Sequence, residues 1–430
     1  MVEVKNTKTF IRELKEHAHV DLLKDIYLDD SLIGYQEERY VKAIETYEAL
    51  FGEGDVEIYS APGRSEVGGN HTDHQYGCVL ATSINLDALA IVGMNEGSIR
   101  LVSEGYDNML EVDLNDLEKK PEEEGTTLAL IRGMAAKLRE EGYAIGGFNA
   151  YVTSDVLVGA GLSSSAAFET IIGTILSGLY NDMKVSSVFI AQAGQYAENV
   201  YFGKPCGLMD QMACSVGGLI NIDFEDPANP VMKKVEVEFE DYHHSLCIVD
   251  TKGSHADLTD EYAAVPAEMK EVAEKLGKPV LRQVDPKEFY QKLPKLREAL
   301  GDRPILRAIH FFNENARVGK QVAALNEGRF QDFLQLVKES GNSSYKYLQN
   351  VYTNKDVQNQ AVSIGLAVAE TVLDGHGVSR VHGGGFAGTI QIFVDNEYVP
   401  QIKSAMDGVF GEGSCHVLKV RKYGGMKVLA

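Results

Sequence analysis

One stretch of this sequence constrains its structure more than any other: a run of glycines and serines that passes directly into a long apolar segment. The run covers residues 159–165, and the apolar residues continue to about Tyr180, which predicts a helix beginning near Ser163. Small residues at a helix start leave backbone N–H groups free, and with the helix dipole they favour a phosphate group. The candidate phosphate-binding residues are Gly159, Gly161, Ser163, Ser164 and Ser165.

This segment is not a Walker loop, because no Gly-Lys-Ser or Gly-Lys-Thr follows the glycines. Its serine hydroxyls add hydrogen-bond donors, and one of them can face a magnesium ion. A helix capped by serine after a flexible turn is the alternative interpretation. Both interpretations remain open from this segment alone.

A second glycine-rich segment, residues 61–74, follows a predicted strand at residues 56–60. It contains Arg64, Asn70, His71, Asp73 and His74, which supply both donors and acceptors, as a polyhydroxylated ligand requires. Glycine allows the backbone to approach such a ligand closely. A solvated turn is one alternative, and a metal bound by the two histidines and the aspartate is another.

Two further segments have the composition of functional loops. Asp210 follows a helix predicted to end near Gly203 and lies among apolar and small residues, as either a helix cap or a buried functional carboxylate. Residues 382–388 form a glycine-rich turn into a predicted strand at residues 389–394. That turn is also explained by ordinary loop geometry.

The order of predicted elements indicates an α+β fold, because strands and helices mix without strict alternation. Residues 1–54 are predicted to be a helical N-terminal extension. A polar, proline-containing stretch near residue 230 suggests a boundary between one domain at 55–235 and another at 236–430. This boundary is approximate.

The charge and cysteine content restrict the partners and the compartment. A net charge of −22 argues against a nucleic-acid or anionic-membrane surface, although it does not exclude a local anion site. No apolar run reaches the roughly 18 residues of a membrane helix, and no signal core is visible. The five scattered cysteines are typical of reduced thiols in a cytoplasmic protein.

Taken in order, the segments resemble the GHMP kinase superfamily and specifically its galactokinase branch. The resemblance rests on the Gly-Arg…His-Thr-Asp, Gly-Leu-Ser-Ser-Ser-Ala, Cys-Gly-Leu-Met-Asp-Gln and Gly-Gly-Gly-Phe-x-Gly motifs and covers about residue 56 to the C-terminus. It implies a two-lobed fold with the active site in the cleft between the lobes. It also implies transfer of phosphate from ATP, with Mg²⁺, to the anomeric hydroxyl of a sugar, most simply galactose.

The resemblance assigns roles to individual residues. It implies that Asp210 is the catalytic carboxylate, with Arg64 beside it, and that Ser163 and Glu198 are magnesium ligands. The phosphate-binding residues are those named above. The implied sugar-binding positions are Asn70, His71, Asp73, Gly207 and Tyr262.

Several positions depart from the family pattern. Asn70 stands where galactokinases carry the glutamate that holds the sugar's 6-hydroxyl, and Glu66 stands where they usually carry asparagine. His255 is the nearest candidate for an arginine that approaches the catalytic aspartate, and Thr127 stands near a family tryptophan. The first exchange leaves galactose possible and opens galacturonate and arabinopyranose as substrates.

Other functions remain as alternatives. The chain is expected to bind a small-molecule sugar and ATP as a monomer or weak homo-oligomer. A kinase for N-acetylgalactosamine or another related sugar, a non-catalytic galactokinase-like sugar sensor, and a GHMP kinase acting on mevalonate or homoserine are the competing hypotheses. The intact serine run, together with Asp210, Glu198 and Arg64, favours an enzyme over a sensor.

Overall fold

The structure, a computed structural model, describes residues 5–106, 108–157, 161–253 and 258–429. In these ranges the chain forms two β-sheets with helices packed against them, as the predicted α+β class requires. The strands are β1 (Lys5–Asn6), β2 (Asp55–Gly68), β3 (Cys78–Met94), β4 (Ser98–Ser103), β5 (Leu110–Asp113), β6 (Phe148–Ser154), β7 (Leu219–Asp223), β8 (Val231–Val235), β9 (His244–Asp250), β10 (Gly377–His382), β11 (Thr389–Asp395), β12 (Cys415–Leu418) and β13 (Met426–Leu429).

The α-helices alternate with these strands irregularly and are concentrated between β9 and β10. They are α1 (Thr7–Lys15), α2 (Val20–Tyr27), α3 (Ile33–Phe51), α4 (Thr127–Glu140), α5 (Ser164–Asn181), α6 (Ser187–Tyr196), α7 (Met209–Val216), α8 (Thr259–Lys275), α9 (Pro286–Leu300), α10 (Asp302–Asn326), α11 (Phe330–Ser343), α12 (Ala361–Leu373) and α13 (Val399–Phe410). The helix predicted from Ser163 is therefore present as α5. None of the helices described combines the length and apolarity needed to cross a bilayer.

The larger sheet has nine strands in the path β1-β2-β3-β6-β4-β5, with β13 paired to β2 and with β7 and β8 extending from β3. Strand β3 is 17 residues long, so its two halves pair with different neighbours, β6 and β7. The C-terminal strand returns to this sheet, with Met426 opposite Ser60. A domain boundary near residue 235 stays a prediction, and this return places the last strand with the first part of the chain.

Side-chain alternation along β2 explains how this sheet is covered on both faces. Val56 and Ile58 pack against the N-terminal helices, whereas Tyr59 and Ala61 face the core that α4 and α5 cover. Both faces are apolar, and all four side chains are buried. The N-terminal extension is therefore an integral layer of the sheet and not an appendage.

A buried ionic cluster fixes the extension to the sheet. Asp87 of β3 lies 2.7 Å from Arg39 of α3 and 3.1 Å from Arg421, and the hydroxyl of Tyr27 donates to it at 2.9 Å. Burial acts to raise the pKa of Asp87, but the two guanidinium groups hold it below its ordinary value. Removing one member would leave a buried charge unpaired, which costs about 3–5 kcal/mol.

The smaller sheet, in the order β10-β11-β9-β12, lies in the second half of the chain and packs against α12 and α13. Its β10 and β11 strands contact the end of β2 through side chains. Arg380 of β10 donates to Glu66 at 2.6 Å, and Gln391 of β11 donates to the Glu66 carbonyl at 2.8 Å. The end of β2, in the larger sheet, is thus bonded to the smaller sheet, and the candidate site forms at this junction.

Candidate active site

Asp210 and Arg64 meet at the junction of the two sheets. Arg64 lies on β2, and Asp210 is in the first turn of α7. The Arg64 Nε and Nη2 atoms each lie 2.7 Å from Asp210 Oδ1, and the Ser163 hydroxyl donates to Oδ2 at 2.5 Å. The Asp210 side chain keeps 36% of its surface exposed, so a ligand can still reach it.

The charge state of Asp210 follows from these contacts. Burial acts to raise its pKa, but the Arg64 guanidinium and the Ser163 hydroxyl hold the pKa below its ordinary value. The N-terminus of α7 also favours a negative charge in its first turn. Asp210 is therefore an ionised acceptor, directed by one cation and open to a substrate hydroxyl.

The contacts distinguish between the interpretations that the sequence left open. The Ser163 side chain makes no capping bond to α5, because its hydroxyl is used on Asp210. No side chain caps α7, and Asp210 is engaged by Arg64 instead. Both residues have the geometry of a site and not of helix caps.

The start of α5 lies directly against this pair. Gly161 and Ser163 both have positive φ, 66° and 57°, which turns the chain sharply into the helix. The Arg64 Nη1 atom donates to the Gly161 carbonyl, so that Arg64 joins the loop to Asp210. Helix α5 then presents its first N–H groups beside half-buried Ser164 and Ser165. Gly159, also predicted to bind phosphate, lies outside the described residues.

Ser163 and Glu198, the predicted magnesium ligands, contact different partners in the structure. Ser163 donates to Asp210, and the serine hydroxyl beside Glu198 is that of Ser165, 3.4 Å from Glu198 Oε1. Lys204 lies 3.4 Å from the same oxygen. A hydroxyl and a carboxylate are suitable donors for Mg²⁺, which takes most of its other ligands from water and phosphate. The described residues contain no group of three or more His, Cys, Asp or Glu side chains able to hold a metal by themselves.

Gln211 and Glu169 form a buried hydrogen-bonded group with Glu198, and neither was predicted from the sequence. The Gln211 amide donates to Glu198 at 3.0 Å and to Glu169 at 3.1 Å. Burial, with Glu198 adding to it, raises the pKa of Glu169 well above its ordinary value. Sequence spacing is the signal that would have found them: Gln211 directly follows Asp210 on α7, and Glu169 lies four residues after Ser165 on α5.

Asn70 does not present its amide to a ligand. Its side-chain nitrogen donates to the Gly383 carbonyl at 2.7 Å and to Glu66 at 3.1 Å. Its side-chain oxygen accepts from Asn350 at 2.9 Å and from Ser344 at 3.1 Å. Two donors and two acceptor sites are all that an amide has, and the residue is fully buried. The predicted contact between Asn70 and the sugar is therefore not available in this conformation.

Glu66 and Asn70 form one polar unit with Arg380. The Glu66 carboxylate receives hydrogen bonds from Arg380 at 2.6 Å and from Asn70, and all of its described partners are donors. Burial nevertheless raises its pKa, against the effect of Arg380 and Arg64. The two departures from the family pattern, at positions 66 and 70, are thus in direct contact. The family pattern has an amide at 66 and a carboxylate at 70, whereas this chain has the carboxylate at 66 and the amide at 70.

The remaining predicted sugar residues line the same region. His71 has a positive φ of 58° and lies 3.1 Å from the Gly384 carbonyl. Burial, with a smaller effect from His74, lowers the pKa of His71 to about 4, so the ring is neutral at pH 7. Because a carbonyl can only accept, Nε2 carries the proton and donates to Gly384. A Cβ at Gly207 would lie 2.5 Å from Asp73 Oδ2, so any larger residue there would displace the Asp73 carboxylate.

The glycine turn that follows β10 organises this region. Its three carbonyls accept from three predicted sugar-site residues: Gly383 from Asn70, Gly384 from His71, and Gly385 from the Tyr262 hydroxyl at 2.8 Å. The turn therefore supports residues 70–73, which we call the sugar loop because the sequence predicted sugar contacts there. Thr127 is the first residue of α4. His255 lies outside the described residues.

This chain is similar in sequence to known galactokinases. The model of the GHMP kinases N-terminal domain matches residues 129–218, and the galactokinase galactose-binding signature matches residues 45–94. The chain is 30% identical over 373 residues to a galactokinase of Streptomyces coelicolor, covering 85% of this chain and 92% of that protein. It is 27% identical over 377 residues to a galactokinase of Limosilactobacillus reuteri, with 85% and 92% covered.

Solved structures give the same result. The galactokinase of Lactococcus lactis, complexed with galactose, matches with a TM-score of 0.76 at 26% identity, covering 89% of this chain and 98% of that one. The mevalonate kinase of Methanococcus jannaschii matches with a TM-score of 0.60 at 17% identity, over 85% and 99% of the two chains. The second likeness concerns the fold alone.

Proposed function

The chain belongs to the galactokinase family, and on that premise we propose that it transfers the γ-phosphoryl group of ATP to the anomeric hydroxyl of galactose, giving galactose 1-phosphate. The observation that carries the proposal is the ionised Asp210 between Arg64 and Ser163, directly beside a helix start built for phosphate. Phosphoryl transfer needs positioning and charge neutralisation more than covalent chemistry, and this site supplies both.

Asp210 accepts the proton of the sugar's 1-hydroxyl as its oxygen attacks the phosphorus. Its exposed edge leaves room for that hydroxyl, and Arg64 keeps the carboxylate ionised beforehand. Arg64 also stabilises negative charge that develops near the transferred group. Because the Arg64 guanidinium binds Asp210 and the Gly161 carbonyl together, the base and the phosphate loop keep a fixed spacing.

The start of α5 holds the phosphates of ATP through its first backbone N–H groups and the hydroxyls of Ser164 and Ser165. Ser165 and Glu198 are the residues that would hold Mg²⁺. Bound there, Mg²⁺ would supply positive charge that neutralises the charge on the phosphate groups during transfer. Lys204 and Gln211 orient the Glu198 carboxylate for this task.

Galactose is the first candidate substrate, and a specific observation adds a second one. Position 70 carries a buried amide whose hydrogen bonds are all made to protein atoms. This amide offers no acceptor to a 6-hydroxyl. Arabinopyranose, which lacks that hydroxyl, therefore forfeits no hydrogen bond to residue 70 relative to galactose. A 6-carboxylate faces no like charge from residue 70 itself, although Glu66 lies behind it.

The reaction is proposed to take place in the cytoplasm, by a protein that acts as a monomer or weak homo-oligomer. All five cysteines are free thiols, which fits a reducing compartment. A domain boundary near residue 235, with the site between the two parts, belongs to the same proposal.

An ADP-release assay with ATP and Mg²⁺ against galactose, arabinose, galacturonate, N-acetylgalactosamine and glucose tests the proposal. We expect galactose to be phosphorylated, with arabinose within about tenfold of it in kcat/KM because residue 70 does not contact position 6. Measurable galactose binding without ADP release from any sugar would establish a sensor and refute the enzyme.

A further inference from the structure

The glycine turn begins and ends with two polar residues for which the proposed function gives no role. His382 is the last residue of β10 and Thr389 the first of β11, and they stand opposite each other in the β10–β11 pairing. Both are 2% exposed. A buried imidazole and a buried hydroxyl at the mouth of a hairpin are costly unless they are bonded, and here both are bonded.

The hydrogen bonds fix the tautomer of His382. Its Nε2 accepts from the backbone N–H of Glu66 at 3.3 Å and lies 3.1 Å from the Ser65 hydroxyl. A backbone amide can only donate, so Nε2 carries no proton. Nδ1 therefore carries it and donates to Thr389 Oγ1 at 2.9 Å. One ring thus connects β2, immediately after Arg64, to the far strand of the hairpin.

The same pair lies against the phosphate loop. A Cβ at Gly161 would lie 3.1 Å from Thr389 Oγ1 and 3.4 Å from His382 Nδ1, so the two side chains lie beside Gly161 and leave little room for a side chain there. Arg64 of β2 also contacts this loop. Its backbone N–H donates to the Leu162 carbonyl at 3.1 Å, and its side chain donates to the Gly161 carbonyl. The loop is therefore held between Arg64 and the His382–Thr389 pair.

We infer that His382 and Thr389 are positioning residues for phosphoryl transfer, which set the phosphate loop at Gly161 relative to the Arg64–Asp210 pair. They touch neither ATP nor the sugar and act through Gly161, Ser65 and Glu66. The inference rests on the proposed function, because it concerns the alignment of its two substrates.

The neutral state of His382 suits this role. Burial, together with Arg64 and Arg380, lowers the pKa of the ring well below its ordinary value. A charged ring would carry a proton on Nε2 and lose the acceptor for the Glu66 N–H. The groups that face it from the surrounding elements are Arg64, Arg380 and Asp210, two cations and one anion.

Steady-state kinetics and sugar binding of His382→Ala, His382→Gln and Thr389→Val test the inference in the full chain. We expect His382→Ala to lower kcat about 100-fold, the scale of a 1 Å misplacement of reacting groups, while the Kd for galactose stays within about threefold. His382→Gln puts an amide oxygen near the Nε2 position and recovers about tenfold of the lost kcat. His376→Ala, a half-exposed histidine next to the start of β10 that contacts Tyr398 and Asp395, is the matched control and keeps wild-type kcat.

Thr389→Val removes only the hydroxyl and keeps the shape, so it covers the case in which His382→Ala fails to fold. We expect about a tenfold lower kcat with galactose affinity unchanged. The inference is overturned if folded His382→Ala or Thr389→Val keeps kcat within twofold of wild type, or if galactose affinity falls in proportion to kcat. Absence of turnover in the wild-type enzyme would be a different result, since it refutes the proposed function and not this positioning role.

Discussion

Moving the buried carboxylate from position 66 to position 70 is the most informative perturbation of the sugar loop. Asn70→Asp replaces an amide nitrogen that donates to Glu66 at 3.1 Å with an oxygen that cannot donate. Glu66→Gln makes the complementary change with the same number of atoms. The two single variants and the double variant form a cycle that changes charge and donors but scarcely changes volume.

The magnitude follows from the 3.1 Å separation of Asn70 Nδ2 and Glu66 Oε1. Two carboxylates at that distance repel by about 5 kcal/mol at an effective dielectric constant of 20. Protonation of one carboxylate relieves this repulsion. At pH 7 it costs about 4 kcal/mol, because pH 7 lies roughly three units above the ordinary pKa of a carboxyl group and each unit corresponds to about 1.36 kcal/mol. We expect Asn70→Asp to cost about 3–4 kcal/mol of unfolding free energy.

Glu66→Gln alone leaves the buried Arg380 guanidinium without its carboxylate, at a cost of about 3 kcal/mol. In the double variant the new amide donates to the new carboxylate, so the repulsion is absent. We expect the double variant to be less destabilised than the sum of the single variants by about 2 kcal/mol. It remains less stable than wild type, because the new carboxylate faces the Gly383 carbonyl.

Urea unfolding at pH 7 measures these free energies. The matched control is Asn115→Asp, because the exposed Asn115 donates to Asp113 at 3.0 Å in the same chemical arrangement. Water screens that pair, and we expect a cost below about 1 kcal/mol. The reasoning is refuted if Asn70→Asp costs no more than Asn115→Asp, or if the two changes at positions 66 and 70 are simply additive.

Three further results are expected. Gly207→Ala places a Cβ 2.5 Å from Asp73 Oδ2 and raises the galactose KM about tenfold, whereas Gly319→Ala, with nothing within 4 Å, leaves it unchanged. Ser165→Ala raises the Mg²⁺ concentration for half-maximal rate by about tenfold or more, and an unchanged Mg²⁺ titration would contradict Ser165 as the proposed ligand. Because the pKa of His71 is lowered from 6.5 to about 4, the folded state binds fewer protons than the unfolded state between these values. Stability is therefore lost as pH falls through that window, and His71→Asn should flatten the dependence of the urea midpoint on pH.

The sequence predicted the parts of the site that depend on local chemistry. Glycines and serines before an apolar segment predicted a helix start suited to phosphate, and α5 begins at Ser164, one residue from the predicted start. Asp210 and Arg64 were named from their motifs, and the structure brings them to 2.7 Å.

Other features of the site depend on long-range geometry or on one backbone torsion, and the sequence did not specify them. The positive φ of Ser163 turns its hydroxyl to Asp210 and leaves Ser165 for Glu198, a distinction that residue type cannot reveal among three adjacent serines. Asn70 is saturated by partners up to 313 residues away in the chain, and no local pattern announces them. The return of β13 to β2 is also a tertiary contact, since its four residues carry no strong strand signal of their own.

The N-terminal helices show the same limit. Their apolar stripes predicted helices, and α1 to α3 are present. Their position as a layer on one face of the larger sheet is fixed by Asp87, Arg39 and Arg421, which come together from three separate parts of the chain. Charge pairs of this kind become visible only when the fold is known.

The central claim is that Asp210 serves as the base of a sugar-1-kinase. Product analysis by ³¹P NMR after incubation with galactose and ATP-Mg²⁺, alongside galactose binding, tests it most directly in wild type and Asp210→Asn. We predict one galactose 1-phosphate per ADP in wild type, and a rate lowered about 10²–10⁴-fold in the variant with galactose affinity within about tenfold. Phosphate on another hydroxyl, or near wild-type turnover in Asp210→Asn, would contradict the account.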